Sequence, residues 1–190
     1  MGTNGTGKLG PRPRLQPARR AYYERAYDEM YVHLGRAGSL SGLKRVWGKV
    51  EGLYRVRAEK LGAPWDVIGA LAYRESGWKT AMCLSDGGSA LEEDAWLADA
   101  ELEVKDHRVD RLAVTSVGFA ADVPAALNCM ENWNGTGDYL HGRPSSYLWD
   151  NTNWWPGPGR WVADGKWCAT AFSQQFGAAV VFKMIRGGAL

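Results

Sequence analysis

Apolar residues recur along this chain with a helical period. Tyr23, Ala26, Tyr27, Met30, Tyr31 and Leu34 keep three- and four-residue spacing before Gly35, which predicts a helix from Ala21. A second is predicted from Ser41, a favourable N-cap, with Leu43, Val46, Trp47, Val50, Leu53, Tyr54 and Leu61 inward and Gly62 as its stop. Pro64 suits the first turn of a third helix, in which Ile68, Leu71, Ala72 and Glu75 share one face and Gly77 closes the end. Ser89-x-x-Glu92 reads as a capping box opening a fourth, with Leu91, Ala95, Ala98 and Leu102 inward. Asp122 caps a fifth with Val123, Ala126, Leu127 and Met130 inward, ending near Asn134-Gly135. Phe172, Phe176, Val180, Val181 and Met184 predict a closing helix.

The stretches between them are less regular. Asp86-Gly87-Gly88 is a turn signal whose flanks allow only a short hairpin. Residues 103–121 read equally as a charged helix end or a loop. From Gly135 to Gly165 the chain is Gly, Pro, Asn and aromatic residues, and five of the ten tryptophans fall between Trp149 and Trp167. A stretch of that length without periodicity is usually functional when ordered. Residues 1–20 hold Gly, Pro, Arg and Lys, no acid, and almost nothing to bury, which predicts a flexible basic arm. It is either an inert tail or a contact for an anionic surface. The domain organisation expected is therefore the arm, 1–20, followed by one domain, 21–190.

Composition narrows the function classes. A chain of 190 residues buries one ordinary core. A net charge of +2 gives no footprint for nucleic acid. Cys83, Cys129 and Cys168 have neither an even count nor metal-ligand spacing, and His33, His107 and His141 are far apart, so no cofactor or metal is expected. No apolar run approaches the length of a membrane span, and the first residues carry no secretory signal, so the expectation is a monomer kept in a cytoplasm.

The candidate chemistry starts at Glu75. An inward stripe that ends in a carboxylate places that group among apolar neighbours at the negative end of a helix dipole. Both effects favour the protonated form, and a protonated carboxyl near neutral pH can pass its proton to a leaving group. The alternative is that Glu75 turns outward or pairs with an arginine, with Arg74 adjacent.

Three pieces together carry a resemblance: Arg74-Glu75-Ser76-Gly77, Glu131-Asn132-Trp133-Asn134-Gly135, and His141 to Trp149. Glu-Ser-Gly at one helix end, then an aromatic-Asn-Gly stretch at another, resembles goose-type lysozymes and soluble lytic transglycosylases of the lysozyme superfamily. Glu131 to Tyr139, Ser146 to Trp149, Trp161 to Lys166 and Gln175 to Ala179 are similar to a group of phage and bacterial lysozyme-like endolysins. The resemblance covers about residues 64–78 and 123–186, and the order and spacing of the motifs carry it. It departs after the glutamate, where those relatives have a longer segment with a Gly-Asp-Pro-Leu type turn and this chain has Ser85-Asp86-Gly87-Gly88.

The resemblance implies a mainly α, lysozyme-like (α+β) domain with a reduced β-element and a long aromatic-rich irregular segment. It implies a peptidoglycan muramidase cleaving the β-1,4 bond between N-acetylmuramic acid and N-acetylglucosamine, with Glu75 as general acid. A glycosidase adds a second carboxylate at a distance set by its stereochemistry. Asp86 is either that partner or a turn-former held by local hydrogen bonds. Trp133, Asn134, Gly135, Tyr139, Tyr147 and Trp149 are the expected glycan-binding residues, and Glu131 is a third candidate carboxylate, expected instead to pack or hydrogen-bond beneath the cleft. The partner expected is the peptidoglycan strand, with no nucleic acid and no stable membrane insertion. A phage endolysin accumulating in the host cytoplasm, or a virion-associated enzyme, fits that substrate. Two other readings stand beside it: a lytic transglycosylase leaving 1,6-anhydromuramic ends, and a non-catalytic glycan-binding or virion structural protein.

Overall fold

The computed structural model describes residues 15–85, 88–135, 138, 144–155, 158–163 and 166–190. Among these the chain is mainly α. The helices are α1 (Pro17–Glu29), α2 (Ala37–Lys60), α3 (Trp65–Ser76), α4 (Glu93–Asp106), α5 (Val123–Trp133), α6 (Ser146–Trp149) and α7 (Ala178–Ile185). Strands β1 (Arg160–Ala163) and β2 (Lys166–Cys168) form an antiparallel pair with Arg160 opposite Cys168. No described helix is long and apolar enough to cross a membrane. Asp86, Tyr139 and residues 1–14 of the predicted arm lie outside the described residues.

Helix α3 is the axis of the molecule. It is apolar around its circumference, from Val67 and Ile68 to Ala70 and Leu71, and such a helix has to be enclosed. Helix α7, buried along its whole length, lies on one side of it and α2 on another. Gly69 permits that closeness. A Cβ there would stand 2.7 Å from the Trp47 ring of α2 and 2.9 Å from Ile185 of α7.

Two buried charges tie the layers together. Asp66 at the start of α3 has no exposed surface. It accepts the Ala120 amide at 3.1 Å and the Arg186 guanidinium at 2.6 Å, which joins α3 to the turn before α5 and to the end of α7. Lys183 of α7 donates to the carbonyls of Tyr27 (2.7 Å) and Asp28 (3.4 Å), which the last turn of α1 leaves unsatisfied.

The third and fifth predicted helices form within a residue or two of the expected limits, with Gly77 at φ 62° and the Asp122 carboxylate accepting the Ala125 amide at 3.0 Å. The others shift. Helix α1 starts at Pro17, whose fixed φ suits a first turn, so the last four residues of the predicted arm are helical. It ends at Glu29 because the next segment turns extended and Val32 pairs with Thr152, leaving Leu34 94% exposed. Helix α2 begins at Ala37, and Ser41 sits inside it, its hydroxyl bonded to the Ala37 carbonyl. Ser89 does not cap α4; it forms an antiparallel bridge with Met82. The inward face of α4 is Trp96, Ala100 and Val104, while Leu91 is 81% exposed. Trp96 sets that face. Its indole donates to the Met82 carbonyl (3.0 Å) and lies 4.0 Å beneath Arg57, which pairs with Glu93. Phe172 stands in the open before α7 begins at Ala178.

Gly48 and Gly52 occupy exposed positions in the middle of α2, and a Cβ at either meets nothing within 4 Å. Glycine inside a helix costs about 0.5–1 kcal/mol relative to alanine. Gly48→Ala and Gly52→Ala should each raise the free energy of unfolding by about that amount in urea melts. A loss of stability in either would mean that this face of α2 is covered.

Candidate active site

The end of α3 is shaped by two consecutive left-handed residues. Gly77 adopts this conformation freely, and its amide bonds the Tyr73 carbonyl at 2.8 Å. Trp78 follows at φ 63°, which costs a side-chain-bearing residue about 1–2 kcal/mol. Its indole offsets that cost by folding back beneath the helix. There it packs against Trp47 and Tyr73 at centroid distances of 5.0 and 5.1 Å and donates to the Gly69 carbonyl at 2.7 Å. The chain is thereby drawn inward directly after the helix, and Glu75 sits half-buried at its last turn.

Arg74 and Glu75 take different partners. The Arg74 guanidinium is buried, 3.3 Å from Asp150 and 2.9 Å from the Phe176 carbonyl, and covers the Tyr147 ring at 4.7 Å. The Tyr147 hydroxyl in turn donates to the Glu75 carboxylate at 2.8 Å. Burial first, and then the Glu75 charge, hold the Tyr147 phenol well above its ordinary ionisation range, so it remains a proton-bearing donor. One oxygen of Glu75 is thus fixed by a neutral hydroxyl, and the neighbouring cation is engaged elsewhere.

Tyr147 is positioned by devices that motif spacing does not reveal. It rides on α6, four residues long, whose first amide, at Ser146, donates to the buried Asp138 carboxylate at 2.8 Å. The Ser146 hydroxyl bonds the same oxygen at 3.2 Å. On the other side, a Cβ at Gly177 would fall 2.0 Å from the Leu148 carbonyl oxygen, so only glycine lets the chain entering α7 pass against α6. Burial raises the Asp150 carboxyl above its ordinary value, opposed by Arg74. Arg74, Asp138 and Asp150 are therefore the supporting residues that the sequence reading missed. An Asp eight residues ahead of a Ser-aromatic pair was the available signal, and it was weak.

The remaining predicted residues divide. Trp149 is 0% exposed and belongs to the core, so it is not a platform for a sugar, and Tyr147 is a buried hydrogen-bond donor instead of a stacking surface. Trp133 is also buried, its ring 4.5 Å from His107. Asn134 and Gly135 are exposed at the C-terminus of α5, with Gly135 at φ 86°. Glu131 is 5% exposed and bound by the Tyr23 hydroxyl and the Arg19 guanidinium. Burial raises its carboxyl above the ordinary value, with Arg19 and Tyr23 opposing. Its engagement with α1 suits a structural link between α1 and α5.

Asp86 and Tyr139 lie outside the described residues; the two residues before Asp86 are anchored. The Asp99 carboxylate of α4 accepts the amides of Leu84 (2.9 Å) and Ser85 (3.1 Å) and the Ser85 hydroxyl (2.6 Å). Compared with protein-family models, curated proteins and solved structures, the chain matches none.

Proposed function

We propose that this protein is a lysozyme-like peptidoglycan hydrolase that cleaves the β-1,4 bond between N-acetylmuramic acid and N-acetylglucosamine, with Glu75 as general acid. The observation that carries the reading is a half-buried carboxylate at the end of the enclosed central helix, held by a neutral tyrosine hydroxyl while Arg74 is bound to Asp150. The Tyr147 hydroxyl orients this carboxylate for proton transfer to a glycosidic bond.

In the proposed reaction the Glu75 carboxyl gives its proton to the glycosidic oxygen as the C1–O bond breaks. A water oxygen then bonds to C1, and its proton returns to a carboxylate. Asp86 is the proposed second carboxylate, next in the chain to Leu84 and Ser85, whose amides the Asp99 carboxylate accepts. Asn134 and Gly135 are the proposed backbone and amide contacts to the glycan. An endolysin that meets the wall after release from the host cytoplasm, or a virion-borne enzyme, would encounter this substrate.

The test is to incubate the full chain with purified peptidoglycan and identify the new ends by mass spectrometry. New reducing-end N-acetylmuramic acid is the result expected. Anhydro ends would make the protein a transglycosylase, and no new ends would leave a binding or structural role. Tyr147→Phe keeps the ring beneath Arg74 and removes the donor to Glu75. Loss of one hydrogen bond to a carboxylate should lower the rate roughly tenfold. It should also move the alkaline limb of the pH–rate profile upward, because the ionised form has lost its donor. An unchanged profile would separate Tyr147 from the chemistry.

A further inference from the structure

Arg20 and Arg25 of α1, Arg55 of α2 and Lys105 of α4 each have an acid four residues away in the chain, at Glu24, Glu29, Glu51 and Glu101. The first half of α2 has no such pairing. Between Met30 and Val50 the sequence contains neither Asp nor Glu. Lys44, Arg45 and Lys49 are exposed there, and none of the three is in an ion pair among the described residues. Arg45 and Lys49 stand four apart, where like charges repel. The first turn of the helix also lacks an acid, so the positive end of its dipole adds to the same field. Arg36 does not belong to the set, because it donates to the Gln174 carbonyl at 2.6 Å and covers the Phe176 ring.

The three cations share one face. At about 3.6 residues per turn they fall within half the circumference of α2, with Ser41, Gly48 and Gly52 among them. Those small residues are exposed, and a Cβ at either glycine meets nothing within 4 Å, so the cations rise from a low surface. Lys44 and Lys49 are about 7.5 Å apart along the axis. Charges that close are met together by a chain of closely spaced anions, whereas one small anion reaches only part of the set. Two of the three are lysines, point charges that meet a phosphate from any direction, while a planar carboxylate favours the arginine fork. Trp47 and Tyr54 of α2 are turned inward, which leaves no platform on which bases could stack. The large apolar side chains exposed along this half of the helix and the turn before it are Leu34 at one end and Val46 at the edge, too few to anchor in a bilayer.

We propose that this face of α2 binds a linear phosphodiester polymer without bases, such as a polyol phosphate. Lys44, Arg45 and Lys49 each neutralise a phosphate, and the small residues between them let the polymer lie along the helix. The surface goes beyond glycan cleavage at Glu75 and does not depend on it, since binding is read without turnover.

The experiment is an NMR titration of the full chain with a synthetic glycerol-phosphate oligomer, following the amides of Ser41, Gly48 and Gly52. Saturable shifts are expected. Three phosphate contacts give a slope of about −2 in log affinity against log salt, so binding should weaken roughly twentyfold between about 50 and 200 mM salt. The triple variant Lys44→Gln, Arg45→Gln, Lys49→Gln should bind about tenfold or more weakly. A control with the same change in net charge, Lys60→Gln, Lys105→Gln, Arg111→Gln, should bind within about twofold of wild type. All six residues are exposed, so both variants should keep the fold, which the rest of the spectrum checks. Equal weakening in the two triple variants would reduce the effect to net charge, and shifts confined to residues 1–20 would move it to the basic arm; either overturns the proposal. So does tighter binding of single-stranded DNA, of poly-glutamate or of phosphatidylglycerol vesicles. Loss of wall cleavage in Glu75→Gln with these shifts intact concerns the active site alone, and absent shifts in a protein that cleaves the wall concern this surface alone.

Discussion

Glu75→Gln should slow wall solubilisation by about 10²–10⁴-fold, the usual contribution of a positioned general acid. The substitution keeps the size of the side chain, and the Tyr147 hydroxyl can still donate to the amide oxygen across the same 2.8 Å. The fold should therefore be unaffected, and a thermal melt should agree with wild type within a few degrees. The wild-type rate should fall as pH rises through the range in which Glu75 loses its proton, because only the protonated form can donate. The residual rate of Glu75→Gln should not follow that limb. Turbidity clearing of purified walls, measured from mildly acidic to alkaline pH, reads both effects. A variant that keeps a third or more of the wild-type rate would remove Glu75 from the mechanism, and the remaining argument for cleavage would go with it.

The part of the fold that could be read from the sequence is the part where one local rule decides. Helix α3 combines an uninterrupted inward stripe with Pro64 before it and Gly77 after it, and α5 has an aspartate cap and a glycine stop. Each signal is short-range, and packing does not oppose it. Helices α1 and α4 went differently because their limits are decided by distant partners. Val32 leaves the helical path to pair with Thr152, and Trp96 chooses the buried face of α4 by reaching Met82 and Arg57. Leu91 and Leu102 look like core residues by type, yet both are exposed.

The candidate site divides along the same line. Glu75 was legible because its place on α3 follows from periodicity. The roles of its supports were not. Tyr147 and Trp149 are aromatic residues two positions apart in a segment without period, which suggested surfaces for a sugar. In the structure a single helical turn points Tyr147 at Glu75 and sends Trp149 into the core beside Tyr22, at a centroid distance of 6.2 Å. The direction of such a turn depends on Asp138, Gly177 and Arg74, which are eight or more residues away in the chain, two of them on other elements. Spacing alone carries no information about contacts of that kind.

The largest stability effect should come from Arg186→Met. Asp66 is fully buried, and Arg186, one-fifth exposed, is its charged partner at 2.6 Å. Removing one member of a buried pair leaves the other charge uncompensated, which costs about 3–5 kcal/mol. The amides of Val67 and Ala120, and the position of Asp66 in the first turn of α3, retain part of the stabilisation. The pH dependence separates this explanation from simple loss of packing. Burial already raises the Asp66 carboxyl above its ordinary 3.8, with Arg186 among the groups opposing the shift. A carboxyl raised in the folded state binds more protons there than in the unfolded chain, so its contribution to stability declines as pH rises through the interval between the two values. Without Arg186 the folded value climbs further and the interval widens upward. The deficit of Arg186→Met relative to wild type should therefore be small near pH 4 and grow toward neutral pH. Adding Asp66→Asn to Arg186→Met should remove that growth, because the amide has no charge to leave unpaired. Urea melts of the three proteins at acidic and neutral pH provide the measurement. A deficit of equal size at both would assign the loss to the Arg186 side chain's contacts with Phe119 and Phe182, at 4.9 and 5.1 Å from their ring centres, and not to the buried charge.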